Sequence, residues 1–375
     1  MAELGESALR VRPGCQPPEP PQELMARIAS HRRILSREQY VEGILRGERT
    51  VLARAITLIE STRAADRELA ELIVEDCLPH SGNSIRVGIT GVPGAGKSSV
   101  IEVLGTFLIS EYRQKVAVLA IDPSSQLSGG SILGDKTRMQ SLAASEMAFI
   151  RPTPSRGSLG GVAQRTREAM LLCEAAGYGK ILIETVGVGQ SETAVHEMAD
   201  FFLLITLAGA GDELQGMKRG VMEMADLVAV NKADGANLAA AERARTEAQN
   251  ALHYLPSALS GWTPRAVTCS AQTGKGIAEL WSCVQEYTSL TKDNGWFSLR
   301  RQNQTRRWMH EIIEEGLRQQ FESHPAIRRR METLELEVLE GRTTSFRAAR
   351  TLLDIYSDPR PELAGSGDGT KADSQ

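Results

Sequence analysis

The sequence predicts an α/β protein: a mostly parallel β-sheet flanked by helices, with a helical layer before it and a helical arm after it. Three observations carry this. Between residues 85 and 268, short apolar runs alternate with longer amphipathic stretches. Outside those limits, and short of the two terminal tails, the apolar residues follow helical spacing. A glycine-rich turn sits directly after the first apolar run.

The apolar runs cover 85–90, 116–121, 147–150, 181–184, 201–207, 227–231 and 266–268. They are near-continuous rather than alternating, which is the pattern of strands buried on both faces, as in a parallel sheet covered by helices. Upstream, Ser36 to Gln39 reads as a capping box, and Tyr40, Ile44 and Leu45 follow at helical spacing. Leu52, Ile56 and Ile59, then Leu69, Leu72 and Ile73, continue that pattern to Leu78, where Pro79 and Ser81-Gly82-Asn83 punctuate it. Downstream, Trp308, Ile312, Ile313, Leu317 and Phe321 form one stripe. Ile327, Met331, Leu334 and Val338 form a second, and a third helix starts near Thr343 or Thr344. Helices of this kind pack on a neighbour or on another subunit.

The expected division is a disordered tail at 1–22 with prolines at 17, 18, 20 and 21, then a helical extension at 23–80. The α/β domain follows at 81–292, the arm at 293–358, and a second disordered tail at 359–375, rich in Gly, Ser and Asp.

Composition narrows the function classes. The 375 residues carry a net charge of −4, so no global basic field favours nucleic acid. Arg328-Arg329-Arg330 reads as a solvated helix face or as local ion pairs. No apolar run reaches the ~18 residues of a membrane span, and the first residues lack a signal core, so the cytoplasm is the expected compartment. The cysteines, at positions 15, 77, 173, 269 and 283, form no C-x-x-C pair, which suggests neither a disulfide framework nor a zinc site.

Gly91-Val92-Pro93-Gly94-Ala95-Gly96-Lys97-Ser98 matches the phosphate-loop pattern G-x-x-x-x-G-K-[ST], and Ser99 follows it. The glycines let backbone N–H groups turn towards phosphate oxygens, and the next helix aims its positive end at them. Lys97 is expected on the β- and γ-phosphates and Ser98 on Mg2+. Asn231-Lys232-Ala233-Asp234 follows the run 227–230 at the edge where such sheets bind ligands. An aspartate there accepts from guanine N1–H and the 2-amino group, and the Lys232 stem can lie along the base. Ser270-Ala271 suits a second base loop, in which a backbone N–H would face guanine O6 and reject adenine. Bound GTP or GDP with Mg2+ is therefore expected.

Carboxylates at run ends supply a metal site: Asp122, and Glu184 at the head of a D-x-x-G-like Glu184-Thr-Val-Gly187. Gly187 N–H could meet the γ-phosphate. Asp135 is either a loop carboxylate over the nucleotide or a helix N-cap. The water-orienting Gln of related GTPases follows that glycine directly. Here Val188 stands there and Gln190 comes two positions later. Lys218, in the glycine-bearing stretch 207–218, is the alternative source of transition-state charge, unless that stretch is a plain surface loop.

The stretches GVPGAGKSS, AIDPSS, GSILGDKTRM, RPTPSRGSLGGVA, ETVGVGQSE, LAGAGDELQGMKRG and NKAD together resemble the MeaB/ArgK-type G proteins. The likeness runs from about Tyr40 to Tyr356. That family includes chaperones of adenosylcobalamin-dependent acyl-CoA mutases. The resemblance implies a homodimer joined through the C-terminal arm, a mutase partner, and a GTP cycle that gates cofactor loading and protects or reactivates the mutase. It implies magnesium carboxylates at Asp122, Asp135 and Glu184, and a nucleotide-responsive loop over 207–218. A nickel-enzyme metallochaperone GTPase shares this domain type, but such proteins usually carry Cys/His ligands or a His-rich tract, absent here. The D-x-H-x-x-G cobalamin pattern is also absent, which leaves the cofactor to the partner.

Overall fold

The computed structural model describes residues 35–122, 139–154, 159–185, 191–209, 219–256 and 258–357. Among the described residues three helices come first: α1 (Arg37–Leu45), α2 (Arg49–Ile59) and α3 (Ala64–Cys77). Strands and helices then alternate as β1 (Ile85–Gly91), α4 (Lys97–Tyr112), β2 (Val116–Asp122), α5 (Gln140–Ala144), β3 (Ala148–Pro154), α6 (Leu159–Ala175) and β4 (Lys180–Thr185). The alternation continues with α7 (Ser191–His196), β5 (Phe201–Leu207), α8 (Arg219–Glu223), β6 (Leu227–Asn231), α9 (Leu238–His253), β7 (Arg265–Thr268) and α10 (Ile277–Asp293). The C-terminal region is α11 (Trp296–Ser323), α12 (Pro325–Leu339) and α13 (Ser345–Ser357).

The strands form one seven-stranded sheet in the order β3-β2-β4-β1-β5-β6-β7, and every pairing is parallel. The expected sheet was mostly parallel; the described one is wholly so. All seven apolar runs are strands, but β3 continues beyond residue 150 through Pro152 and Pro154 because it pairs with the whole of β2.

Each face of the sheet has its own core. On one, Ile44, Leu52, Ile56 and Ile73 of the N-terminal helices meet Leu119, Ile183 and Phe202. On the other, Ile101 and Leu104 of α4 and Trp281 and Tyr287 of α10 meet Val87, Leu182 and Phe201. Each fully buried large side chain contributes about 1.5–3 kcal/mol. The capping box is formed: Gln39 N donates to Ser36 Oγ and Ser36 N donates to Gln39 Oε1. The helical pattern over 52–78 is carried by two helices, α2 ending at Ile59 and α3 running from Ala64 to Cys77. In the C-terminal region, Ile327, Leu334, Ala348 and Leu352 form a small separate core. Thr344 Oγ1 accepts from Arg347 N where α13 begins.

A polar network locks the amino end of β1. Arg86 is bidentate to Glu174 of α6 at 2.8 and 2.9 Å, with both side chains buried. Ser84 Oγ and Gly82 N also donate to that carboxylate. Burial alone would raise the Glu174 pKa, but these donors outweigh it and hold the carboxyl below its ordinary 4.5. Removing one partner of a buried pair leaves an uncompensated charge, so Glu174→Gln should lower unfolding free energy by about 3–5 kcal/mol. A carboxyl whose folded pKa is depressed contributes stability above its unfolded pKa and loses it as pH falls through the folded value. The gap between parent and variant in denaturant melts should therefore be full at pH 7 and shrink on acidification below 4.5.

Candidate nucleotide site at the carboxyl edge of the sheet

The carboxyl ends of β1, β4, β5, β6 and β7 lie side by side, through the registers Ile89↔Glu184, Gly91↔Ile205, Leu207↔Asn231 and Val230↔Thr268. Every described motif residue sits on this edge or just beyond it.

Gly91 ends β1 pressed against β5. A β-carbon there would lie 2.1 Å from Ile205 O, so no other residue fits. Gly94 and Gly96 have φ of 78° and 84°, the left-handed region that glycine enters without strain. Between them Ala95 is buried, while Pro93 and Gly94 are exposed. Val92, also buried, packs with the α4 side of the core. The loop feeds straight into α4, whose N-cap is Gly96 and whose first residues are Lys97, Ser98 and Ser99. The first N–H groups of a helix have no partner within it, and over 16 residues its dipole places positive potential at this point. Such a cradle binds phosphate.

Lys97 Nζ donates to Gly91 O at 2.9 Å and Val92 O at 3.4 Å, which places the ammonium over the loop. Burial lowers its pKa, and the charges of Glu184 and Glu192 oppose that. Ser98 Oγ donates to Glu184 Oε1 at 2.8 Å, joining the first turn of α4 to the end of β4. Thr185 Oγ1 donates to Thr90 Oγ1 at 2.9 Å and ties β4 to β1. Asp122 is the last residue of β2, opposite Pro154. Asp135, Gly187, Gln190 and Lys218 lie outside the described residues.

The other half of the site hangs on Asn231. Its Nδ2 donates to Ala95 O at 2.8 Å, and its Oδ1 accepts from Ala271 N at 3.1 Å. Cys269 Sγ also approaches that oxygen, at 3.7 Å. The buried carboxamide thus joins the glycine-rich loop to the loop after β7. Lys232 has a left-handed φ of 59° and an exposed side chain, and Asn237 Nδ2 donates to its carbonyl at 2.7 Å. Ser270 Oγ donates to Asp234 Oδ2 at 2.5 Å, and Thr273 N donates back to Ser270 Oγ. Asp234 and Ser270-Ala271 therefore form one assembly, although 36 residues separate Ser270 from Asp234.

Two supports escaped the sequence. The Thr90–Thr185 bond joins ordinary strand residues. Glu102 of α4 accepts from Ser141 N and Leu142 N, which holds the start of α5. Each depends on which strands and helices are neighbours.

Comparison with known proteins resolves the class. Residues 52–326 match the family model described as methylmalonyl Co-A mutase-associated GTPase MeaB. The chain belongs to this family. It is a GTPase, and the family is associated with methylmalonyl-CoA mutase. A putative GTPase of Caulobacter vibrioides is 50% identical over 84% of this chain and 95% of its own length. The GTPase ArgK of Escherichia coli is 48% identical over 73% of this chain and 83% of its own. The mitochondrial methylmalonic aciduria type A homolog of Mus musculus is 45% identical over 84% and 78%. Among solved structures, one described as an LAO/AO transport system kinase superposes with a TM-score of 0.69 at 37% identity, covering 86% of this chain and 98% of that one. No helix of the described residues is long and apolar enough to cross a membrane.

The Asn231 bridge gives a direct test. Asn231→Ala removes two hydrogen bonds worth about 1 kcal/mol each and unties the two loops. Affinity for both GDP and GTP should fall about tenfold or more, equivalent to about 1.4 kcal/mol. Titration calorimetry on parent and variant reads this. Unchanged affinity would show that the bridge does not hold the site.

Proposed function

We propose that this GTPase is a chaperone of an adenosylcobalamin-dependent acyl-CoA mutase, and that its GTP cycle gates cofactor loading and protects or reactivates that enzyme. The observation that carries the mutase is the family match over 52–326. Identity near one-half to mitochondrial and bacterial relatives supports it.

In this reading, 91–99 cradles the phosphates, Lys97 offsets charge on the transferring phosphoryl, and Asp234 reads the guanine edge. A backbone N–H of the loop after β7 would face the base O6, and Lys232 lies along the ring. Ser98 Oγ and Glu184 Oε1, 2.8 Å apart, are hard oxygen donors that fit Mg2+. Asp122 and Asp135 would complete that set. Bound there, Mg2+ would neutralise charge between the β- and γ-phosphates. Gly187, Gln190 and Lys218 complete the proposed catalytic set. Because Val188 stands where related GTPases place Gln, intrinsic hydrolysis should be slow. Partner binding at 207–218 would speed it by fixing Lys218. GTP turnover measured with and without purified methylmalonyl-CoA mutase tests this. Lys218→Ala should keep GTP affinity and basal turnover but lose most of the stimulation. Equal stimulation of parent and variant would remove Lys218 from the mechanism.

We also read the C-terminal region as a homodimerisation arm. Support comes from its apolar surface: Met309, Ile312, Ile313 and Leu317 on α11 are about half exposed, and Leu339 and Phe346 are 82% and 87% exposed. Contiguous apolar surface of this kind marks an interface. Light scattering of the full chain at micromolar concentration should give a dimer, and truncation after Lys292 should give a monomer. A monomeric full chain would overturn the assignment.

A further inference from the structure

Helix α11 does more than lead to the arm. Its first half grips residues 196–200, the link between α7 and β5. Arg300 Nη2 donates to His196 O at 3.3 Å. Gln304 Nε2 donates to Ala199 O at 2.9 Å. Arg301 meets both oxygens of Asp200, at 2.7 and 2.6 Å, and also donates to Gly82 O and Ser84 O ahead of β1. Arg307 pairs with Glu197. Cations against the carbonyls at the end of a helix are electrostatically favoured. Directional bonds of this kind also fix a position, whereas a purely apolar contact can slide.

Three facts tie this grip to the site. Helix α7 begins seven residues after Glu184, so the link lies at the far end of the segment that Glu184 opens. The helix lies directly on β1, because a β-carbon at Gly88 would be 2.8 Å from Val195 Cγ1. A cavity of about 230 Å³ adjoins the end of α7, lined by His196, Glu197, Trp296, Arg300, Asn303 and Arg307. Close packing would deny this helix end any displacement, and the cavity permits one.

We propose that Glu197, Gln304 and Arg307 are positioning residues for the GTPase reaction: through them α11 sets the stance of α7, so the C-terminal region and the nucleotide site are energetically coupled. Coupling between sites is reciprocal. A nucleotide that shifts α7 therefore biases α11, and whatever holds α11 biases nucleotide affinity and turnover. The inference rests on the reading of Glu184 as a site carboxylate.

The test uses the full chain and exchanges one charge pair. Arg307 is 58% exposed, so its replacement should leave the fold intact. Parent, Glu197→Arg, Arg307→Glu and the double variant are compared in melting temperature, GDP affinity, affinity for a non-hydrolysable GTP analogue, and GTP turnover. Each single variant should melt close to the parent. Each should change turnover, or the ratio of analogue to GDP affinity, by about threefold or more, the scale of mutational effects on coupling. The double variant should return towards the parent. Folded single variants with parental turnover and ratio would overturn the proposal, as would changes that the double variant does not reverse. Should the charge variants fail to fold, Gln304→Met, which removes only the bond to Ala199 O, carries the same expectation. Glu184→Gln separates the two readings. If it keeps parental turnover, the site assignment itself falls; if it loses turnover while the 197/307 variants behave as parent, only the coupling falls.

Discussion

At Gly91 the backbone of β1 lies against the carbonyl of Ile205 with no space for a side chain, and the geometry of the site depends on that contact. β1 stands inside the sheet with β4 on one side and β5 on the other. Its register brings Glu184 level with Ile89, within reach of Ser98 in the first turn of α4. Its last residue ends beside β5, and the chain must then curl through Gly94 and Gly96 to enter α4. A strand displaced by one residue would turn every side chain to the other face and separate these groups. The Arg86–Glu174 pair and the bond from Arg86 N to Asp200 pin the opposite end of the same strand.

The site is otherwise an arrangement of polar ties between loops. Asn231 links the phosphate loop to the loop after β7, and Ser270 links that loop to Asp234. Each tie is short and largely shielded from water, so it is strong where formed and costly where broken. These ties place backbone groups and the Asp234 carboxylate. Preorganised dipoles of this kind stabilise developing charge without reorganising at the moment of reaction.

The C-terminal region follows a different logic. Its base is fixed by guanidinium groups: Arg301 at Asp200, and Arg167 of α6 paired with Glu311 beneath the Trp308 ring. Its outer part keeps a small core of its own and exposes large apolar side chains.

The sequence by itself determined the local elements. Each of the seven apolar runs is a strand because residues buried on both faces must be apolar along their length. The capping box, the start of the last helix at Thr344, and the glycines of the phosphate loop are likewise local rules of hydrogen bonding and backbone sterics, written in neighbouring residues. The phosphate and guanine motifs are read from neighbouring residues in the same way. Strand order is not: β4 lies between β2 and β1, and nothing in its residues says so. The work done by Asn231, Thr90, Glu102 and Arg301 was also hidden, since their partners lie from 39 to 219 residues away. The apolar stripe of α11 reads as a face for a neighbour or another subunit, and Ile312, Ile313 and Leu317 are exposed in the single chain. Periodicity shows that a face is apolar; only the packing of the whole chain decides what that face meets.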